Sequence, residues 1–471
     1  MIDPRRALPS VHWLLEQEEM VPLVRDLGRE VVVAAARTVL NQIRDGGASS
    51  SGADHQAVAC LVVAELRGER PHLRPVINAT GILLHTGLGR APLGPWVWES
   101  ILSLGKGYSN LEFDLESGER SERGAAVAEL LREITGAEAA AIVNNNAGAT
   151  LLTLRALAAG REVIVSRGQL VEIGGSYRLP DVFLASGAKL VEVGTTNKTR
   201  LKDYERAIGP ATAALLRVHT SNYQVVGFTE EVSIAEMAEL AAALGVLCID
   251  DIGSGALTPD LPPGLRGEPS IQASFQGGAK LVLASGDKLL GGPQCGLILG
   301  EARLISTIKA DPMMRALRVD KLTLCALEAV LRLVRSPSLA RSRIMLWRLL
   351  GTERAELRAR ARSILEQLGA RLGLSATVVE TEAQIGGGSV PSQRLPSVGI
   401  QLECAGGGPL GSEAGLAKAL RTGPVPVVPR VHDGHVWLDL KAVFEYEDKE
   451  IVHALDRLFP IPGDWSDLRE D

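Results

Sequence analysis

Between Pro75 and about Gly300, short apolar runs alternate with stretches long enough to be helices. The runs are AAAIVN, EVIVS, LVEVG, ALLRVH, VLCID, LVLAS and CGLILG, each rich in branched residues. A strand that is apolar on both faces needs cover on both faces. Helices between successive runs provide it, so the pattern predicts a mostly parallel sheet in an α/β fold. In open sheets of this kind ligands sit outside the carboxyl ends of the strands. The residues that follow each run are therefore the candidates for chemistry.

The flanking regions differ in texture. Residues 8–44 carry apolar positions at helical spacing and are expected to stop at Gly46-Gly47. On that helix Arg25, Arg29, Arg37 and Arg44 share about a third of the circumference with Asp26 and Glu30, as an ordinary charged face would. DGGASSSGAD, 45–54, has the composition of a linker, and a short helix follows over 55–68. Beyond residue 318, helices are expected over 319–335 and 340–370. Then come LPSVGIQLE, the pair PVPVVPRV/HVWLDLK, and a closing helix DKEIVHALDRLF. The domains predicted are a helical region over 1–74, a large domain over 75–318 and a smaller α+β domain over 319–471.

Composition narrows the function. The chain has 471 residues, 46% hydrophobic and 23% charged, as a soluble globular protein would. A net charge of −6 argues against a protein that coats nucleic acid non-specifically. Five scattered cysteines, with no CxxC, read as reduced thiols. With no signal-peptide pattern and no apolar run of about 18 residues, a cytoplasmic location is expected. There is no GxxxxGK[ST], no GxGxxG opening a helix and no HExxH. His432 and His435 in VHDGHV read as a hairpin turn, and no metal site is expected.

Four strand ends carry reactive groups. After AAAIVN, a helix opens on Asn145, Asn146, Ala147 and Gly148, whose backbone N–H groups suit a phosphate, although an ordinary helix cap fits them too. After VLCID come Asp250 and Asp251, which face opposite sides of a strand, so that one of them can pair with a protonated ring nitrogen. His219 ends ALLRVH, placed to stack on a bound ring or to serve as a structural residue. Lys288 follows LVLAS in SGDKLLGGPQ, with Ser285 three residues earlier as a phosphate contact. A desolvated lysine is a nucleophile toward carbonyls. Phosphate cradle, ring neighbour, acid and amine together are the equipment of a pyridoxal-phosphate enzyme.

The motifs also resemble a known family. LPSVHWLL (8–15), VINATGILLHTGLGRAPL (76–93), YSNLEFDLESGER (108–120), VNNNAGA (143–149), SRGQLVEIGGSYRLPDV (166–182), VGTTNKT (193–199), VHTSNYQVVGFT (218–229), DIGSGAL (251–257), SGDKLLGGPQCG (285–296), MRALRVDKLTLCALEA (314–329) and IGGGSVPSQRLPS (385–397) are similar to the bacterial selenocysteine synthases. The resemblance covers nearly the whole length. It implies an aspartate-aminotransferase-like fold and pyridoxal 5′-phosphate bound to Lys288, with Asp251 on the pyridine nitrogen. It further implies Arg90, Arg315 and Arg318 on the phosphate of selenophosphate, and tRNA held by the N-terminal helical region. The assembly implied is a homo-oligomeric ring of dimers, a decamer. Two positions depart from the family pattern: Gly87 stands where Asn is expected and Gln169 where Glu is expected.

The activity implied is β-replacement on seryl-tRNA(Sec), exchanging the serine hydroxyl for selenium. Two alternatives remain from the residues. One is a pyridoxal-phosphate lyase acting on a small amino acid or amino sugar acid, whose relatives tend to lack a region like 1–74. The other is a catalytically inactive tRNA-binding homologue, against which Lys288 stands.

Overall fold

All seven apolar runs form one sheet. The computed structural model describes residues 8–45, 55–66, 73–174, 177–262, 265, 267–370, 374–386, 393–404 and 410–459. The linker expected at 45–54, including the helix stop at Gly46-Gly47, lies outside the described residues from residue 46 on. The chain divides into two compact units, Met1–Pro75 and Val76–Asp471.

In the second unit the strands in chain order are β1 (Ile77–Ala79), β2 (Ala139–Val143), β3 (Glu162–Ser166), β4 (Glu172–Ile173), β5 (Tyr177–Arg178), β6 (Lys189–Val193) and β7 (Thr212–Val218). They continue with β8 (Leu247–Gly253), β9 (Leu281–Ser285), β10 (Gly296–Gly300), β11 (Leu374–Gln384), β12 (Arg394–Cys404), β13 (Val427–His432) and β14 (His435–Asp439). The large sheet runs β2-β10-β9-β8-β7-β3-β6, with β10 antiparallel to both neighbours and the other pairs parallel. This is the expected α/β fold with a mostly parallel sheet. The central strands are buried on both faces. β9, LVLAS, is buried at every residue. Each large aliphatic side chain so placed contributes roughly 1.5–3 kcal/mol.

A second sheet, β1-β13-β14-β12-β11, belongs to the smaller layer. Its first strand comes from residues 77–79, which pair in parallel with Val427–Pro429. A boundary at residue 75 assigns that segment to the large domain, yet its backbone hydrogen bonds go to the C-terminal sheet. The Asp433-Gly434 turn between β13 and β14 has positive φ at both residues (48° and 76°), as a two-residue hairpin requires. β11, LSATVVETEAQ, has no counterpart in the sequence reading. It lies at the sheet edge, and one face is polar and exposed.

The helical expectations are subdivided by the structure. Residues 8–44 form three helices, Val11–Leu15, Met20–Leu27 and Arg29–Asp45. Ser10 caps the first, and Gly28, at φ 88°, breaks the chain between the second and third. Arg25 therefore lies on a different helix from Arg29, Arg37 and Arg44, and it pairs with Asp26 at 2.8 Å. The expected helix over 340–370 is three: Pro337–Arg343, Met345–Gly351 and Arg354–Leu368. Ile344 and Thr352 take extended backbone conformations between them. The helix Lys321–Val334 packs against helices Pro95–Gly105 and Ala125–Thr135, so it lies with the large layer.

Candidate active site

At the carboxyl ends of β7, β8 and β9 is a cavity of about 250 Å³ whose wall includes Lys288, Asp251, His219, Asn145, Asn146, Ala147, Ser285 and Arg90. Each arrives there for a local reason. Lys288 follows β9 in a turn and is 5% exposed. Gly255, at φ 81°, lets the chain after β8 pass against the β9 backbone, since a Cβ there would lie 2.1 Å from the Ser285 carbonyl oxygen. Asn145 caps the helix Asn146–Ala158, its Oδ1 accepting from the Gly148 N–H at 2.8 Å.

The two aspartates separate as strand alternation requires. Asp250 turns away from the cavity and forms a bidentate pair with Arg217 at 2.8 and 2.7 Å, while also accepting from Ser274 at 2.6 Å. The parallel register sets Arg217 beside Asp250. Asp251 turns inward. Its Oδ1 accepts from Asn146 Nδ2 and its Oδ2 from Thr150 Oγ1, both at 2.9 Å. Burial pushes the Asp251 carboxyl up. The two hydrogen bonds and the Lys288 charge oppose that rise.

Burial, followed by the Arg90 charge, lowers Lys288 from 10.5 to about 8, against the pull of Asp251, Asp287 and Glu268. The free amine is therefore about a tenth of the population at pH 7, far more than for an ordinary lysine. Burial and the neighbouring Arg217 lower His219 to about 4, so its imidazole is neutral there. A buried amine nucleophile, a fixed carboxylate and a neutral ring on one wall are the groups that carbonyl chemistry on an amino acid needs.

Known proteins agree with this chemistry. Residues 76–444 match the family model described as L-seryl-tRNA selenium transferase, and residues 5–44 match the one described as selenocysteine synthase N terminal. The chain belongs to the L-seryl-tRNA selenium transferase family. The L-seryl-tRNA(Sec) selenium transferase of Moorella thermoacetica is 46% identical over 458 residues, 96% of each chain. That of Geobacter sulfurreducens is 45% identical over 460 residues, 96% of this chain and 98% of the relative. A solved D-glucosaminate-6-phosphate ammonia-lyase shares the fold, at 22% identity and TM-score 0.57, covering 84% of this chain and 97% of that one.

The residues present fit the pyridoxal phosphate of this transferase family. His219 Nδ1 and Asn146 Oδ1 are buried with no hydrogen-bond partner among the described residues, both on the wall that a polar ring would face. Asn146, expected at a phosphate, instead spends its side-chain amide on Asp251, which leaves its backbone N–H and that of Ala147 for an anion. Gly148 lies one step deeper, where a Cβ would meet Leu317 at 3.3 Å, and its N–H is taken by the Asn145 cap.

Arg90 holds an uncommon positive φ of 60° and pairs with the buried Asp287 at 2.8 Å. Arg315 and Arg318 do not line the lysine cavity. They line a separate one, of about 440 Å³, with Arg120, Arg123, Lys309 and Glu112. Thr150, Tyr177 and Asp287 escaped the sequence reading. Only Thr150 left a signal, since it stands one helical turn beyond Asn146. The departure at Gln169 has a physical account: its buried Oε1 accepts from the Val218 N–H at 3.1 Å, a role a neutral amide fills as well as a carboxylate. At Gly87 a Cβ would meet His85 Cε1 at 3.3 Å, so a larger residue requires His85 to give way.

Among the described residues no group of three His, Cys, Asp or Glu is placed to hold a metal ion, and no helix is long and apolar enough to cross a membrane.

Proposed function

We propose that this chain converts seryl-tRNA(Sec) to selenocysteinyl-tRNA(Sec), taking selenium from selenophosphate. The observation that carries the reading is Lys288: a buried amine, lowered to about 8, that lines one cavity with Asp251 and His219. Bound pyridoxal phosphate supplies an electron sink for the carbanion formed at the serine Cα. The protein supplies the rest. Lys288 would hold the cofactor at its carbonyl carbon and would free its amine when substrate takes that place. Asp251, held by Asn146 and Thr150, keeps a proton on the pyridine nitrogen. Neutral His219 stacks on the ring. The Asn146 and Ala147 N–H groups, at the N-terminus of a 13-residue helix, hold the cofactor phosphate with Ser285.

The freed Lys288 amine takes the Cα proton, after which the β-hydroxyl leaves. Arg90, Arg315 and Arg318 hold the phosphate of selenophosphate so that selenium adds to the β-carbon while water cleaves the P–Se bond and phosphate leaves. Arg315 and Arg318 line a different cavity of the same chain, and in this reading a second copy brings them to Lys288. The working enzyme is accordingly a homo-oligomer, a ring of dimers. The helices of residues 8–66 bind the tRNA, and the reaction takes place in the cytoplasm. Lys288→Ala tests the reading. Purified with added pyridoxal phosphate, it is expected to lose both the visible cofactor absorbance and turnover of seryl-tRNA(Sec) with selenophosphate. Retention of either overturns the assignment.

A further inference from the structure

A second cavity, of about 330 Å³, opens beside the lysine cavity at the ends of β3, β6 and β7. His219 belongs to the wall of both, whereas the cavity around Arg315 shares no lining residue with that of Lys288. Its lining is polar and rich in hydroxyls, including Thr196 and Thr220. Glu268 lines it, and Glu268 Oε2 is buried with no partner among the described residues. His219 Nδ1 is orphaned in the same way, and the Ser254 hydroxyl lies near the Glu268 carboxyl without completing a hydrogen bond to it. Burial pushes the Glu268 carboxyl up to about 7, against the Ser254 hydroxyl and the Lys288 charge. An unpaired buried acceptor of this kind costs free energy until a donor arrives.

The charges on this wall choose among donors. Lys198 shares the lining with Glu230, Glu231 and Glu268, of which Glu230 is paired with Arg200 at 3.1 Å. The remaining carboxylates disfavour a phosphate and favour hydroxyl groups. A seryl ester delivered to Lys288 brings such hydroxyls with it. Only the ester oxygen and the carbonyl carbon separate the serine Cα from the terminal ribose, so that ribose must lie in space adjoining the lysine cavity.

We propose that the second cavity receives the 3′-terminal nucleoside of the aminoacyl-tRNA, with Glu268 accepting a hydrogen bond from the ribose hydroxyl that carries no ester. This rests on the seryl-tRNA reading above and adds a subsite to it. The phosphates of the preceding nucleotides lie outside the carboxylate-lined wall.

A double-substitution cycle tests it on the full-length holoenzyme. Seryl-tRNA(Sec) ending in 2′-deoxyadenosine, esterified at the 3′-oxygen, is compared with the natural substrate on wild type and on Glu268→Ala. Removing the hydroxyl is expected to raise KM about tenfold on wild type, as one lost hydrogen bond to a charged group does, with kcat within about threefold. On Glu268→Ala, whose KM is already raised, the same removal is expected to change little. Effects that multiply, or a Glu268→Ala variant that lowers kcat at unchanged KM, overturn the proposal. Thr196→Trp, which fills the cavity from its exposed rim, is expected to raise KM while keeping the visible cofactor absorbance; unchanged KM overturns it. Titration with 3′-deoxy-3′-(L-serylamino)adenosine separates this proposal from the reading beneath it. Binding about tenfold weaker to Glu268→Ala supports the subsite even if turnover fails, and equal binding sinks the subsite even if wild type makes selenocysteinyl-tRNA.

Discussion

Keeping the Lys288 amine buried costs stability. Lowering it from 10.5 to about 8 corresponds to about 3 kcal/mol at neutral pH. The unfolded chain holds that proton up to about 10.5, so the penalty is full below about pH 8 and fades as pH rises toward 10.5. Lys288→Met, freed of pyridoxal phosphate, is therefore expected to unfold at higher urea than wild type at pH 7, and the gap should narrow at pH 10. The same value sets cofactor capture: the apoprotein rate should climb about tenfold per pH unit up to about 8 and then level off. If Asp251 holds the pyridine nitrogen as proposed, Asp251→Asn keeps the shape but loses the charge there. Turnover should fall on the order of 10²-fold or more, the range typical of a lost proton-holding group, while Lys288 still captures the cofactor. Asp250 and Asp251 show how far residues alone carry the argument. Strand alternation placed them on opposite faces, but only the register of β7 against β8 gave Arg217 to Asp250 and so left Asp251 for the cavity.

Among the elements, the strand-turn pieces that deliver site residues tolerate little. Gly255→Ala would drive a Cβ into the Ser285 carbonyl, backbone against backbone, so this variant is expected to lose visible cofactor absorbance even if soluble. Gly28 offers the opposite case, since a Cβ there meets nothing within 4 Å and only its φ of 88° resists substitution. Gly28→Ala should cost roughly 1–3 kcal/mol of backbone strain, weaken binding of seryl-tRNA(Sec) and leave the cofactor spectrum unchanged. The apolar strands of the large sheet were legible because burial on both faces writes a continuous apolar run. β11 was not, because an edge strand with one wet face alternates polar and apolar residues and lacks such a run. The helix breaks at Gly28, Ile344 and Thr352 were hidden for a related reason: apolar periodicity continues across a short break.

At the scale of the whole molecule, the apolar side chains left outside matter. Trp98, Leu102, Tyr108, Phe113 and Leu115, on the helix Pro95–Gly105 and the loop after it, are all exposed. A group of this kind marks an association surface. The mass in solution is expected to be a multiple of the 50.0 kDa chain, and Leu115→Glu should reduce it. If Arg315 and Arg318 serve a neighbour's Lys288, mixing inactive Lys288→Ala chains with inactive Arg315→Ala chains should restore part of the turnover, measured after dissociation and reassembly. No recovery would place all the working groups in one chain.

By itself the sequence determined the sheet and the strand ends that carry Lys288, Asp251 and His219, because apolar periodicity and residue type are local properties that a chain carries wherever it folds. Tertiary structure decided what depends on residues far apart. It gave Asn146 and Thr150 to Asp251, sent Arg315 and Arg318 to another cavity, and brought Glu268 and His219 to the wall of one cavity. Each of these follows from register and loop path, which fix distances that no spacing along the chain records.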